Sequence, residues 1–345
     1  MDLLMQQRWV LLLTAVSACV PDLDTDESLV ASPRVLAVTA EPAEARPGQP
    51  VRYRALVADA SGTIGDAAPS WFHCLARKPL AELGPVSPAC LRGDSGKLAP
   101  LGEGPSVMGS LPTEACALFG PNPPPPVMDQ PPGRPVDPDE SGGYKLPLMV
   151  GLGALQVTLY EQRITCGLAG VSPDVSVAYA TRYHANQNPS LSGLGVVEPD
   201  GSLRPLAEGA PLEVAVNSEV TLEASWPVCP ASDVCGDGVC GPDETRTTCA
   251  ADCMAQLGCG GQERYVDFDR EDRVLTVRAE SLRLAWFNTR GSYQNERTGV
   301  GADEALSASR NIWRAPAEPG PATLWVVLRD GRGGVGHREQ AVIVR

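Results

Sequence analysis

The chain has 345 residues and a formal net charge of −14 at pH 7. This charge argues against phosphate backbones and anionic lipid headgroups as partners, because both need a basic surface, so nucleic acid is not expected as a partner. The length beyond the N-terminal leader suggests two domains of ordinary size.

The N-terminus has the features of an export signal. Arg8 precedes ten uncharged, mostly apolar residues (9–18), which are too few for a bilayer-spanning helix of about 20 residues. The segment "VSAC" resembles the bacterial lipobox and departs from it only at Val16, where Leu is usual. The resemblance implies cleavage after residues 1–18 and a diacylglyceryl group on Cys19. The alternative is a plain secretory signal that leaves Cys19 as an ordinary thiol.

The segment after the signal is acidic. Residues 19–32, "CVPDLDTDESLVAS", carry four acids and no base, which predicts a solvated tether between lipid and protein. Val20 follows the modified cysteine, and by the usual lipoprotein sorting rule this favours the outer membrane. We therefore expect an exported, lipid-anchored protein at the outer membrane or cell surface, attached to the membrane by its N-terminal lipid.

Residues 33–186 are predicted as a first β-sandwich domain. In "PGQPVRYRALVADASG", Val51, Tyr53, Ala55 and Val57 alternate with polar residues, which indicates a half-buried strand. In "SWFHCLA", Trp71 and His73 share one face, while Phe72 and Cys74 share the other. The segments "RVLAVTAEP" (34–42) and "SVAYATRYH" (176–184) are predicted as further strands.

A long interruption divides this first domain. Nine of the eighteen residues 121–138 are proline, which favours polyproline II and predicts a surface loop over about residues 91–144. The loop is either a recognition arm for a partner or a decorated loop pinned by Cys90 and Cys116.

Residues 187–345 are predicted as a second sandwich. Its strands include "LEVAVN", "VTLEASWP", "RVLTVRAESLRLAWF", "ATLWVVLRD" and "VGHREQAVIVR", and "ADEALSASR" could form one short helix at most. Leu324, Val326 and Leu328 alternate with Trp325 and Val327, so the C-terminal hairpin is predicted to be buried on both faces.

Ten cysteines remain besides Cys19. This even number allows every one of them to pair, and cysteines form disulfides in an oxidising compartment. They fall into a group of four and a group of six, so each group can pair within its own half of the chain. Four cysteines allow three pairings and six allow fifteen, and spacing alone does not choose among them. The groups are Cys74, Cys90, Cys116 and Cys166, and Cys229, Cys235, Cys240, Cys249, Cys253 and Cys259.

The second cysteine group carries the most specific resemblance. "CGDGVCGPDETRTTCAADC" (235–253) resembles a Cys-rich repeat of myxobacterial exported proteins. "PRVLAVTAEPAEARPGQPV" and "RAPAEPGPATLWVVLRDGRGGVG" are similar to the immunoglobulin-like domains of myxobacterial lipoproteins. The resemblance implies an all-β protein of two immunoglobulin-like sandwiches, the second with a disulfide-rich inserted loop at about residues 229–260. It implies no activity.

Metal binding by this insertion is the alternative to disulfides. The cysteine spacing loosely fits zinc, but export favours oxidation, so no metal or cofactor is expected. Hard oxygen ligands for calcium stand close together, although they do not follow the EF-hand spacing. These weak candidates are Asp233, Asp237, Asp243, Glu244 and Asp252.

An enzyme is the second functional hypothesis. "GDSGK" (93–97) resembles the nucleophile segment of trypsin-like proteases, with Ser95 as nucleophile, but Lys97 replaces the final glycine. The three histidines, His73, His184 and His337, are dispersed along the sequence. We therefore expect a non-enzymatic binding or structural protein with a protein or polysaccharide partner, and the alternative is a secreted or surface serine hydrolase.

Overall fold

The computed structural model describes residues 26–76, 86–120, 143–153, 156–168, 170–230, 233–253 and 258–345. The predicted signal peptide, Cys19 and the proline-rich segment 121–138 lie outside these residues. No helix in the described part of the chain is both long and apolar enough to cross a membrane.

Strands dominate the described residues. The first half contains β1 (Arg34–Glu41), β2 (Glu44–Ala45), β3 (Pro50–Asp59), β4 (Gly62–Thr63), β5 (Ser70–Cys74), α1 (Pro88–Leu91), β6 (Leu98–Glu103), β7 (Ser106–Ser110), α2 (Ala115–Phe119), β8 (Gly143–Leu152) and β9 (Gln156–Thr165). The second half contains α3 (Pro173–Arg182), β10 (Gly193–Val197), β11 (Leu203–Pro205), β12 (Leu212–Val214), β13 (Glu219–Ser225), α4 (Ala250–Cys253), β14 (Arg264–Asp269), β15 (Val274–Ala279), β16 (Leu282–Asn288), β17 (Ser292–Tyr293), β18 (Arg297–Val300), β19 (Ala308–Arg314), β20 (Gly320–Asp330) and β21 (Val335–Val344).

The main sheets form two sandwiches with the same strand order. In the first, β3 pairs with β1, β4 and β7, and this sheet faces a sheet ordered β2-β9-β8-β5-β6. In the second, β11-β10-β13-β19-β17 faces β12-β21-β20-β16-β18, while β14 and β15 form a separate hairpin. In each sandwich a short early strand pairs in parallel with the last strand, β2 with β9 and β12 with β21.

This order is immunoglobulin-like, and both sandwiches carry the expected tryptophan. Trp71 on β5 and Trp286 on β16 occupy equivalent strands, and both are fully buried. Each lies in an apolar core shared by the two sheets of its sandwich. The predicted fold class, all-β with two immunoglobulin-like sandwiches and a disulfide-rich insertion in the second, is confirmed.

A third apolar core joins the two sandwiches. Leu36 on β1 and Leu56 on β3 pack against Trp325 and Val327 on the outer face of β20. The Trp325 indole nitrogen also donates a hydrogen bond across the junction to the Thr63 hydroxyl, at 2.9 Å. This contact explains why β20 is buried on both faces, as its alternation predicted: Leu324, Val326 and Leu328 lie in the core of the second sandwich.

The junction also buries part of β3 on both faces, where the sequence predicted burial on one face only. Val51 and Tyr53 are buried while Arg52 and Arg54 are exposed, as predicted for the first half of the strand. Beyond Ala55 both faces are buried, because the outward-facing residues meet the second sandwich. Interfaces between domains usually permit motion unless they are large and apolar. The buried junction therefore favours a fixed arrangement of the two sandwiches.

Three sequence predictions are wrong in part. "SVAYATRYH" falls mainly in helix α3, which begins after Ser172, whose hydroxyl accepts a hydrogen bond from the Val175 amide, and carries Pro173 in its first turn. The predicted loop at about residues 91–144 contains strands β6 and β7 and helix α2, because β6 pairs with β5 and β7 pairs with β3. "ADEALSASR", for which one short helix at most was expected, stays within that limit: it forms no helix, and its last residues begin β19.

The acidic tether is the third of these errors, since its second half is part of the fold. Ser28 and Val30 are buried, and Val30 lies in the core between the sandwiches. The Val30 amide donates to the Asn288 carbonyl at 2.8 Å, and the Asn288 amide donates to the Ser28 carbonyl at 2.9 Å. The tether prediction failed here because backbone pairing with β16 and one buried valine outweigh the acidic composition.

Candidate functional site

The cysteine-rich insertion, residues 229–259, leaves the second sandwich after β13 and returns at β14. Its described residues are 229–230, 233–253 and 258–259. Its disulfides are Cys229–Cys259 at the base, with Cys235–Cys249 and Cys240–Cys253 inside, and the first sandwich has Cys74–Cys90 and Cys116–Cys166. Each cysteine thus pairs within its own group, and the predicted disulfide bonds are present. A small loop with little core of its own needs such covalent links.

The turn "CGDGVC" is organised by one buried acid. Asp252 accepts hydrogen bonds from the amides of Gly236 (2.5 Å) and Gly238 (3.2 Å). Both glycines have positive φ, 100° and 87°, where other residues are strained. Asp237 between them accepts from the Val239 amide at 2.9 Å. The Gly-Asp-Gly sequence is therefore accounted for as a tight turn.

The other predicted calcium ligands hold neighbouring segments in place. Glu244 accepts from the Gly241 amide at 2.9 Å, and Asp233 accepts from the Asp243 amide at 2.7 Å. Asp233 also forms an ion pair with Arg264 at 2.9 Å. Asp237 and Asp252 thus hold the Gly-Asp-Gly turn, while Glu244 and Asp233 hold the segment 241–243.

Two of these acids do approach each other. Glu244 and Asp252 lie with the sulfurs of Cys235 and Cys249 in a group whose ligand atoms are all within 4.8 Å. Those two sulfurs form a disulfide, so two carboxylates remain, against the six to eight oxygens that calcium takes. A second such group, His184 with Cys240 and Cys253, also consists largely of a disulfide.

Beneath the insertion lies a buried group of charges that we name the Arg332 cluster: Arg332, Glu263, Glu280 and Tyr265. Arg332 lies in the turn between β20 and β21. Its Nε donates to Glu280 at 2.5 Å and one Nη donates to Glu263 at 3.1 Å. The other Nη donates to the His184 carbonyl at 3.1 Å, and the guanidinium lies 4.8 Å from the centre of the Tyr265 ring. The cluster thereby ties together β20–β21, the β14–β15 hairpin and the segment after α3.

A second buried ion pair extends this network into the first sandwich. Arg163 on β9 pairs with Glu44 on β2 at 3.1 Å, and both side chains are almost fully buried. The Tyr183 hydroxyl and the Asn186 amide donate to the Glu44 carboxylate at 2.7 and 2.9 Å. The Asn186 side chain then donates to Asp330, in the same turn as Arg332. Residues 183–190 therefore contact both sandwiches, and the predicted domain boundary between residues 186 and 187 stays a prediction.

Burial and neighbouring charges shift the pKa values of the acids in this network in different directions. Burial, the largest cause, raises the pKa of Glu280 to about 8, although Arg332 opposes it. Burial also raises the pKa of Glu263, which shares the same guanidinium. Burial alone would lower the pKa of Arg332, but Glu280, Tyr183 and Glu263 raise it well above its usual value. For Glu44, burial is outweighed by Arg163 and Arg332, which lower its pKa.

The insertion is fixed onto this network by helix α3 and the residues that follow. Arg182 Nε donates to the Pro242 carbonyl at 3.0 Å and pairs with Asp243. The His184 ring nitrogen Nε2 lies 3.1 Å from the Gly241 carbonyl. The cavity left between insertion and sandwich is about 40 Å³, enough for a few water molecules. The described part of the insertion is thus packed closely against the sandwich, and the cavity between them has room for water only.

Ser95, the nucleophile of the serine hydrolase alternative, lies apart from the cysteine-rich insertion and the Arg332 cluster. Ser95 lies exposed in the turn between α1 and β6. His73 is buried and its Nε2 lies 3.0 Å from the Tyr53 hydroxyl, while burial lowers its pKa to about 4. In the described ranges, no histidine hydrogen-bonds to Ser95. The contacts of a serine protease triad are therefore not formed at this serine.

Comparison with known proteins gives no family assignment. No family model matches the chain, and no curated protein matches it. Among solved structures, the chain is similar to the D00-D0 domain of intimin, with 9% identity and TM-score 0.20, over 91% of this chain and 98% of that one. It is also similar to the C-terminal domain of the Streptococcus pyogenes antigen I/II-family protein AspA, with 9% identity and TM-score 0.25, over 91% and 99%. For the Yersinia pseudotuberculosis adhesin InvE the values are 9% and 0.20, over 89% and 58%. TM-scores this low establish no shared function.

Proposed function

We propose that this protein is an exported lipoprotein, anchored through Cys19 at the outer membrane or cell surface, with a non-enzymatic binding or structural role. The observation that carries the proposal is the pairing of all ten cysteines in the described residues in five disulfides. Disulfides form and persist in oxidising compartments and are rare in the cytosol. They support export, and the lipobox-like "VSAC" supports attachment at Cys19.

The proposed role is rigid display of loops to a protein or polysaccharide partner. Support comes from the apolar core between the sandwiches and from the Arg332 cluster, which together favour one fixed body. Loops held by a rigid scaffold are frequent binding surfaces. The cysteine-rich insertion is such a loop, because three disulfides and the contacts of Arg182 hold it in one orientation.

The proposal is tested by the intact mass of protein purified from its native membrane. Free thiols are alkylated without prior reduction, and the matched control is a Cys19→Ser variant. We expect an N-terminus at Cys19 with added acyl mass and no alkylation, and release of the control from the membrane fraction. An unacylated start at another residue would overturn the anchor. Several alkylated cysteines would overturn the export argument.

A further inference from the structure

A groove on the outer face of the second sandwich concentrates positive charge. It lies where residues 27–28 and β1 meet β16, β18 and β20, and its volume is about 600 Å³. Four arginines line it: Arg34, Arg283, Arg297 and Arg329. We name it the arginine groove. Its volume falls in the range of small-molecule sites, about 300–1,000 Å³.

The arginines are placed where they repel one another. Arg283 on β16 is directly opposite Arg329 on β20 in the strand register. Like charges directly opposite across two strands are destabilising. Burial and the nearby charge of Arg297 both lower the pKa of Arg329. The fold therefore bears a local electrostatic cost along this face.

The carboxylates present do not balance this charge. Glu27 pairs with Arg297 at 2.9 Å, and Glu296 accepts a hydrogen bond from the Glu27 amide at 2.8 Å. These two acids line the described groove and Asp26 beside it also acts on Arg34, so four guanidiniums meet three carboxylates and positive charge remains in excess. The Arg283 side chain is exposed and forms no hydrogen bond or ion pair within the described part of the chain.

Two of the remaining arginines are already positioned by the protein. Arg329 donates from one Nη to the Leu36 carbonyl at 2.9 Å. The Arg34 guanidinium donates to the Glu27 carbonyl at 2.5 Å and lies 4.9 Å from the centre of the Phe287 ring. Guanidiniums held in this way keep further N–H groups for a ligand and lose little entropy on binding it.

We infer that the arginine groove binds a dianionic phosphate group, such as a phosphate monoester. An anion is favoured by the excess of guanidiniums over carboxylates, and guanidiniums bind phosphate oxygens through paired, charge-assisted hydrogen bonds. The overall charge of −14 does not prevent this, because at physiological ionic strength charges beyond about 8 Å are largely screened. The inference does not depend on the lipid anchor or on the proposed display role.

The test is isothermal titration of inorganic phosphate at pH 8 and fixed ionic strength. The wild-type protein is compared with Arg283→Gln and with Arg52→Gln, a matched change at an exposed strand arginine of the first sandwich. We expect Arg283→Gln to weaken binding about tenfold or more, since a hydrogen bond to a charged group contributes about 1.5–3 kcal/mol. Arg52→Gln should leave the affinity unchanged. Absence of binding to the wild-type protein, or equal losses in both variants, would overturn the inference.

The source of the phosphate is distinguished with vesicles. Two proteins without the acyl anchor, Cys19→Ser and Cys19→Ser with Arg283→Gln, are mixed with phosphatidylcholine vesicles with or without phosphatidic acid, whose headgroup is a phosphate monoester. Binding that needs both phosphatidic acid and Arg283 supports the site and assigns it to a lipid. Phosphate binding without vesicle binding supports the site and assigns it to a soluble phosphate ester. Vesicle binding that is equal in both proteins would overturn the assignment of the groove.

Discussion

Replacing Arg332 by methionine tests whether the buried charge cluster holds the molecule together. Methionine keeps a long side chain but removes the only cation that contacts both Glu280 and Glu263 in the described structure. The side chains of Arg332 and Glu280 are 4% and 1% exposed, so water cannot replace the lost partner. Removing one partner of a buried ion pair typically costs about 3–5 kcal/mol, and we expect a loss of unfolding free energy in that range.

The assay is urea unfolding under non-reducing conditions at pH 5 and pH 8. Glu280 has a raised pKa, about 8 against an ordinary 4.5, so its contribution to stability is present below pH 4.5 and is lost as pH rises to 8. Without Arg332 its carboxylate becomes still harder to ionise. The destabilisation by Arg332→Met should therefore be larger at pH 8 than at pH 5.

Arg345→Met is the matched control. Arg345 pairs with Glu213 at 2.6 Å, but both side chains are more than half exposed, so its loss should cost at most about 1 kcal/mol. Adding Glu280→Gln to Arg332→Met removes a buried acid that must stay protonated for the protein to remain folded, and should restore part of the unfolding free energy at pH 8. Equal losses in Arg332→Met and the control, or no difference between the two pH values, would refute the role assigned to the cluster.

Three further predictions concern other parts of the fold. Trp325→Ala should lower the free energy of unfolding by about 3–5 kcal/mol and split one calorimetric transition into two, because the fully buried indole joins the sandwiches. One sharp transition in the variant would contradict that coupling. Replacing Cys116 and Cys166 together by serine should lower the free energy of unfolding by about 4 kcal/mol, and replacing Cys235 and Cys249 by about 3 kcal/mol, since the closed loops span 50 and 14 residues. Non-reducing thermal melts show which variant loses more stability. Burial lowers the pKa of His73 to about 4 from an ordinary 6.5, so this residue contributes stability above pH 6.5 that is lost as pH falls to 4. His73→Gln should therefore lose less stability on acidification, measured as unfolding followed by fluorescence at a series of pH values. An unchanged dependence on pH would contradict the role of His73.

The strands were predictable where their pattern is local. The alternation around Val51 and the two-faced run around Trp325 follow from a period of two residues, which needs no knowledge of distant contacts. Helix α3 was not predicted although its start signal was present: Ser172 and Pro173 stand a few residues before the segment 176–184 that resembled a strand. The capping sequence was the better guide there than the apolar alternation.

The Arg332 cluster could not be predicted in the same way. The sequence around Arg332 is a glycine-rich hairpin turn, and its partners Glu280 and Glu263 lie 52 and 69 residues earlier. No short motif relates these positions. The burial of Val30 has the same origin, because it depends on a strand more than 250 residues away.

The docking of residues 26–30 onto β16 limits how far the protein could extend from the proposed lipid on Cys19. Six residues separate Cys19 from Asp26, and the seven Cα–Cα steps between them span at most about 25 Å when fully extended. The junction between the sandwiches, where the arginine groove also lies, would then stay within a few nanometres of the bilayer. A partner recognised at this junction would have to be a component of the same membrane or approach it closely, and a ligand far out in the medium would be beyond its reach.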